Sequence, residues 1–143
     1  MASEEDTWRT EYSVEVEVGP AAVWALFRDP AGWKGWNAGV ESVELEGPFA
    51  DGTWFTMTVP GGERLRSRLI DVRENEGFID ETLLDDLRVT VAHRLTPLDG
   101  RRTRITYAVE ANGPGAREIG PMVSADFPDV LASLATQVEG RRR

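Results

Sequence analysis

The chain has 143 residues with no cysteine, one histidine and a formal net charge of −9. This excludes a disulfide framework, a thiolate nucleophile and a cysteine-type zinc site, and it disfavours nucleic acid, whose phosphates are held by clustered cations. A hydrophobic fraction of 41% and a charged fraction of 29%, with no apolar run near the roughly 18 residues that span a bilayer, predict a globular protein without membrane insertion.

No composition break or internal repeat divides the sequence, so a single domain over residues 8–139 is expected, large enough to bury roughly 70% of its unfolded surface. The acidic opening, Met1-Ala-Ser-Glu-Glu-Asp, lacks the apolar core of a secretory signal. It predicts a cytoplasmic location, with residues 1–7 disordered and 140–143 frayed. From Thr10 to Val18, Tyr12, Val14, Val16 and Val18 alternate with Glu11, Ser13, Glu15 and Glu17, the pattern of a half-buried antiparallel strand. Gly19-Pro20 ends it, and Ala21 to Arg28 carry Val23, Trp24 and Phe27 on a helical stripe that Asp29-Pro30 stops. A second short helix, Ala31 to Trp36, spaces Trp33 and Trp36 three apart.

Six strand candidates follow: 40–46, 53–59, 64–73, 77–84, 87–98 and 102–111. The turn signals between them are Gly47-Pro48, Asp51-Gly52, Pro60-Gly61-Gly62, Asn75-Glu76-Gly77, Asp85-Asp86 and Asp99-Gly100. Connections this short make antiparallel neighbours. Arg64, Arg66 and Arg68 share one strand face, and Arg101, Arg102 and Arg104 cluster at a turn; both groups read as solvated surface.

After a Gly/Pro break at 112–115, Ile119, Met122, Val123, Phe127, Val130, Leu131, Leu134 and Val138 recur at helical spacing on one broad stripe. Pro121 is tolerable in a first turn, whereas Pro128 should kink or restart the helix with Asp126 as its cap. The order is β-α-α-β6-α, an α+β protein. About seven twisted antiparallel strands curl, and only the C-terminal helix is long enough to fill their concave side, leaving a space between sheet and helix.

The lone histidine, His93, falls on the inward face of its strand with Val89, Val91 and Leu95. If Asp85-Asp86 is a two-residue hairpin loop, Leu84 pairs with Leu87, Thr82 with Val89, Asp80 with Val91 and Phe78 with His93, which puts Phe78, Asp80, Thr82 and His93 on one inner face. A slip of one residue would turn Glu81 inward instead. Alternation in the next strand turns Tyr107 inward too. An imidazole, a phenol and a carboxylate in an apolar pocket suit general acid/base work on an enolisable carbonyl, with His93 and Tyr107 as the catalytic candidates. The same residues equally suit a hydrogen-bonded core or the few orienting groups of a binding pocket. Trp54 lies opposite Phe55 and Met57, and alternation alone leaves open which set faces the interior. One histidine, no cysteine and scattered carboxylates predict no metal and no cofactor. Gly113 to Gly115 lack the Lys-Ser/Thr of a phosphate loop and read as a hinge or lid.

The element order resembles the helix-grip superfamily of START-like and birch-pollen-allergen-like domains (SRPBCC), in its polyketide cyclase/dehydrase-like branch. The local matches are Gly19-Pro20-Ala21-Ala22-Val23-Trp24, Asp29-Pro30 before Trp33 and Trp36-Asn37-Ala38-Gly39-Val40, Glu46-Gly47-Pro48, His93-Arg94-Leu95-Thr96, and Thr103-Arg104-Ile105-Thr106-Tyr107 before Gly113-Pro114, spread over residues 8–138. The resemblance implies a hydrophobic cavity for a small apolar or aromatic molecule such as a lipid or polyketide, and no particular reaction. It places Trp24, Trp33 and Trp36 around the small helices as gate or as core. The ligand contacts expected from it and from strand alternation are Trp24, Trp33, Trp36, Phe55, Met57, Phe78, Asp80, Thr82, Val91, His93, Tyr107, Ile119, Val123 and Phe127. Three functions follow: a binder of a small hydrophobic molecule, an aromatase/cyclase or dehydratase using His93, and a co-chaperone-like partner module. The protein is expected as a monomer or homodimer.

Overall fold

The structure, a computed structural model, describes residues 6–140, so the expectations for residues 1–5 and 141–143 lie outside the described residues. Seven strands form one antiparallel sheet: β1 (Thr7–Val16), β2 (Ser42–Leu45), β3 (Trp54–Thr58), β4 (Arg64–Arg73), β5 (Gly77–Leu84), β6 (Leu87–Asp99) and β7 (Arg102–Asn112). Their order across the sheet is β1-β7-β6-β5-β4-β3-β2, so β1 and β2 are its two edges. Helix α1 (Pro20–Phe27) and a 3₁₀ turn (Pro30–Gly35) lie between β1 and β2, and α2 (Ala116–Ser124) and α3 (Phe127–Gly140) close the chain. This is the α+β helix-grip fold that the element order predicts.

β1 starts earlier than alternation indicates. Thr7 pairs with Asn112, and the Asp6 carbonyl accepts a hydrogen bond from Gly113 N at 2.8 Å, so residues 6 and 7 are ordered by the sheet. The second short helix is a 3₁₀ turn. Its hold on the domain comes from Trp33, whose Nε1 donates to the Phe27 carbonyl at 3.0 Å.

The C-terminal stripe is two helices, and the break falls at Ala125–Asp126, before Pro128. Pro128 is the second residue of α3, where a helix needs no N–H, so it starts the helix instead of bending one. Pro121, by contrast, lies well inside α2, beyond the first turn. The Asp126 backbone carbonyl receives the Val130 N–H at 2.9 Å. The stripe divides accordingly. Val130, Leu131, Leu134 and Val138 enter the main core with Val16, Phe27, Phe55, Leu69 and Ile105, whereas Ile119 and Val123 join a satellite core under β6 and β7 with Leu87, Val89, Val109 and Ala111. Met122 leaves the stripe altogether and is 73% exposed.

The outer sheet face is a ladder of paired charges. Arg64 meets Glu44 and Arg66 meets Glu46, while Glu81 sits buried between Arg68 Nη2 at 2.7 Å and Arg88 Nε at 2.6 Å. The hydrogen bonds from Arg88 and Arg68 hold the Glu81 carboxyl below its usual range. Trp54 faces outward too, with the Arg66 guanidinium 4.2 Å from its ring centroid. That leaves Phe55 and Met57 for the inside. The turn arginines Arg102 and Arg104 pair with Glu15.

The approach to α2 depends on Gly113, which has φ 121° and whose absent side chain would collide with the Asp86 carbonyl. Gly113→Ala is expected to cost about 2–4 kcal/mol, from a left-handed backbone and a clash that neither partner can avoid. Urea unfolding midpoints of the two proteins measure it.

Candidate functional site

A cavity of about 380 Å³ lies between the concave sheet face and the α2–α3 junction. Strand alternation builds most of its wall. β5 contributes Phe78, Asp80 and Thr82; β6 contributes Val89, Val91 and His93; β7 contributes Tyr107; β3 contributes Phe55 and Met57. The hairpin register is Leu84 opposite Leu87, Thr82 opposite Val89, Asp80 opposite Val91 and Phe78 opposite His93, the pairing that a two-residue Asp85-Asp86 loop dictates. Asp85 takes the left-handed φ of 55° that this tight turn needs.

Of the expected ligand contacts, Trp33, Trp36, Phe55, Met57, Phe78, Asp80, Thr82, Val91, His93, Tyr107, Val123 and Phe127 line the cavity. Trp24 and Ile119 do not. Trp24 is turned into the core, packed edge-on against Phe49 with centroids 5.8 Å apart, and Ile119 packs in the satellite core. The interior of a helix carries no period-two signal, so which apolar residue of a helical stripe reaches a cavity depends on how the helix is rotated.

Several lining residues escape sequence reasoning. Asn37, Gly39 and Val40 come from the loop after the 3₁₀ turn, Ser67 from β4, and Ala125 and Asp126 from the helix break. Ser67 was findable, because alternation puts it with Leu69 on the inner face of β4; its Oγ lies 2.6 Å from Thr82 Oγ1. Asp126 immediately precedes α3, and its carboxylate is set against Gly39 at the cavity's edge, so close that a Cβ on Gly39 would stand 2.9 Å from Oδ2. Phe49, inside what reads as a turn, packs on Phe78 at 5.1 Å behind the wall.

The rings of the wall are mutually oriented. Phe78 stacks on His93 at 4.1 Å and 10°, and Trp33 lies near-parallel to Phe78 at 5.8 Å and 15°. Tyr107 meets His93 edge-on at 4.5 Å, and Phe127 meets Tyr107 edge-on at 5.5 Å. Against this wall stand a few polar groups. His93 Nε2 faces Asp80 Oδ2 at 3.8 Å, beyond a direct hydrogen bond. Tyr107 Oη and Trp36 Nε1 are buried without a partner among the described residues.

Burial decides the charge state of these groups. It raises the Asp80 carboxyl to about 7 and lowers the His93 imidazole to about 3, and together with the nearby Asp80 it pushes the Tyr107 phenol up. At neutral pH the imidazole and phenol are uncharged, and Asp80 is poised between its two forms. Among the described residues no group of three or more His, Cys, Asp and Glu side chains is placed to hold a metal ion, and no helix is long and apolar enough to cross a membrane.

The family model described as polyketide cyclase / dehydrase and lipid transport matches residues 7–139. The chain belongs to this family. Its fold recurs in an aromatase/cyclase from Streptomyces sp. R1128, with a TM-score of 0.80 at 18% identity over 96% of each chain. Norcoclaurine synthase from Thalictrum flavum, solved as a point mutant with a transition-state analogue, gives 0.75 at 14% identity over 96% of this chain and 97% of that one. Ara h 8.0201 gives 0.73 at 17% identity over 92% and 97%. At such identities these neighbours share the fold of this polyketide cyclase/dehydrase and lipid-transport family member, and nothing finer. No curated protein matches the chain significantly.

The perturbed groups have opposite effects on stability. Asp80, raised on folding, contributes stability that is complete below its unfolded value of 3.8 and is lost as pH rises through about 7. His93, lowered from 6.5 to about 3, contributes stability present above 6.5 and lost as pH falls toward 3. Asp80→Asn is therefore expected to gain on the parent as pH rises from 4 to 8, by on the order of 3–4 kcal/mol, since each pH unit between the unfolded and folded values is worth about 1.4 kcal/mol. It should also expose the acid-side loss from His93 that the parent masks. Urea midpoints of both proteins across that range give the two curves.

Proposed function

We propose that this protein binds a small apolar or aromatic molecule, of lipid or polyketide type, in the cavity between its sheet and the α2–α3 junction. One observation carries the reading: a space of about 380 Å³ survives inside an otherwise close-packed core, walled by aromatic and aliphatic side chains with a few inward polar groups. Protein interiors fill to crystal density, so a space of this size at the convergence of five strands and a helix break points to an occupant. Membership of a family described by polyketide cyclases, dehydrases and lipid transport supports it. Within this reading His93 and Tyr107 orient the ligand. An apolar fluorescent probe should then be taken up saturably, and Val91→Trp, which puts an indole into the space, should weaken uptake at least tenfold at unchanged fold by circular dichroism. Uptake that Val91→Trp leaves intact places the probe elsewhere and sinks the reading.

A second reading, catalysis on an enolisable carbonyl, is favoured by one feature: a carboxyl near pKa 7 that lines the cavity together with a phenol. A base works best when its pKa is close to the working pH. That moves the proton-transfer role from His93, too weak a base once lowered to about 3, to Asp80. The Asp80 carboxylate takes the proton alpha to the carbonyl and becomes the acid. The electron pair moves onto the carbonyl oxygen, where Tyr107 donates a hydrogen bond, and Asp80 returns the proton. A fold shared with an aromatase/cyclase supports it. The protein should accelerate deuterium exchange alpha to the carbonyl of an aryl methyl ketone in heavy water, with a rate that rises through about pH 7 and is lost in Asp80→Asn. Exchange at the buffer rate leaves binding as the function.

A further inference from the structure

The two edges of the sheet are built differently. β2 is a strand of 4 residues, the kind of short edge that discourages pairing with a neighbour. β1 is long: it pairs with β7 residue by residue from Thr7 opposite Asn112 to Val16 opposite Thr103, with no bulge and no proline. Among the described residues no strand lies beyond β1 in the sheet. The edge closes only past its end, where Glu17 N donates to Glu139 Oε2 at 2.9 Å. The inward residues Thr10, Tyr12 and Val14 are only half-buried and carry no charge, whereas the outward residues Arg9, Glu11, Ser13 and Glu15 are exposed. A long, regular edge without an inward charge is a template for another strand, whose main chain supplies the hydrogen bonds.

We propose that β1 is a self-association edge, pairing antiparallel with β1 of a second copy of this chain about a two-fold axis at Tyr12. The charges on the strand carry the choice of occupant and of register. In a two-fold pair each contact occurs twice, residue i on j and j on i. With the axis at Tyr12, Arg9 stands opposite Glu15 of the second copy, Glu11 opposite Ser13, Thr10 opposite Val14 and Trp8 opposite Val16. The row then extends an alternation that the sheet already holds. Glu110 on β7 meets Arg9 at 2.9 Å and Arg104 on β7 meets Glu15 at 3.2 Å, so the charges run Glu110, Arg9, Glu15, Arg104 across the joint. An axis at Glu11 sets Glu11 against itself, and one at Ser13 sets Glu11 against Glu15; like charges directly opposite destabilise a strand pair. An axis at Thr10 matches Arg9 to Glu11 but overlaps only residues 7–13. Physiological salt screens the net charge of −9 beyond about 8 Å, whereas directly opposed side chains stand closer than that. The added strand also covers the half-exposed Tyr12 and Val14. An extended peptide of arbitrary sequence lacks the matching charges, and a second β1 has them by symmetry. No residue of β1 lines the cavity, so the pairing leaves that space open.

Sedimentation velocity at physiological salt, over a series from micromolar to millimolar protein, should show the mass moving from that of one chain toward that of two. Arg9→Glu and Glu15→Arg each set like charges opposite one another at two places in the pair, and each is expected to raise the dissociation constant at least about tenfold. An equal mixture of the two variants restores opposite charges at both places. It should associate at least about tenfold more tightly than either variant alone. Both positions are exposed and their ion pairs lie at the surface, so the variants should keep the parent's circular dichroism. A protein that stays a single chain across the series overturns the proposal. A dimer that Glu15→Arg leaves intact is held by another register or another surface, and failure of the mixture to associate overturns the pairing of position 9 with position 15. The concentration series on the unaltered protein decides the self-association even if a variant does not fold.

Discussion

A two-residue turn at Asp85-Asp86 sets the register on which the interior depends. With Leu84 held opposite Leu87, every second residue back along β5 and forward along β6 is committed to one face, and Phe78, Asp80, Thr82, Val89, Val91 and His93 all meet inside. The opposite choice would bury Ile79, Arg88 and Thr90 and send the aromatic wall to solvent. Glu81 shows how firmly the choice is held: it lies on the outer face, clamped by Arg68 and Arg88. Drawing it inward would strand a carboxylate in hydrocarbon and leave two guanidiniums unpaired. The hairpin and the outer ion pairs thus enforce the same register from opposite sides of the sheet.

Inside, rigid packing and an open space coexist because the rings support one another. Phe27 makes ring contacts with Trp36, Phe78, His93 and Tyr107, and Phe49 buttresses Trp24, Trp33 and Phe78 from behind. Rings held edge-on and face-on in this way brace one another around the space. The polar minority lines the same space, where burial shifts both Asp80 and His93 toward their uncharged forms while they stand 3.8 Å apart.

The remaining side of the cavity belongs to the C-terminal segment, where the division of the helix has its effect. α3 spends Val130, Leu131, Leu134 and Val138 on the main core. α2 is held instead over β1 and β7, with Gly120 so close to the Trp8 ring that no side chain fits between. The break between them brings Ala125, Asp126 and Phe127 to the cavity and opposes Asp126 to Gly39 in the loop before β2. A continuous helix would have presented one unbroken stripe to the core and had no turn with which to cap the space.

The sequence by itself determined the element order, the antiparallel neighbours and the two alternating faces of each strand, because period-two alternation and short turns are local rules. It gave the inner set Phe78, Asp80, Thr82, Val91, His93 and Tyr107 only on condition of a two-residue turn at Asp85-Asp86, and the structure chose that register over a one-residue slip. The sequence also placed a restart near Pro128, since a missing N–H is a property of one residue. Only the tertiary structure decided between Trp54 and Phe55 with Met57. Both faces of β3 carry large apolar groups, and Trp54 is held outside by arginines that come from the neighbouring strand β4. It likewise decided that Trp24 and Ile119 pack while Asn37 and Asp126 reach the cavity. Helix rotation and loop placement are set by partners distant in sequence, and no local pattern records them. The same holds for the acid-base properties of the site. Asp80 and His93 owe their displaced pKa values to burial by the whole assembly, which exists only once sheet and helices have closed on one another.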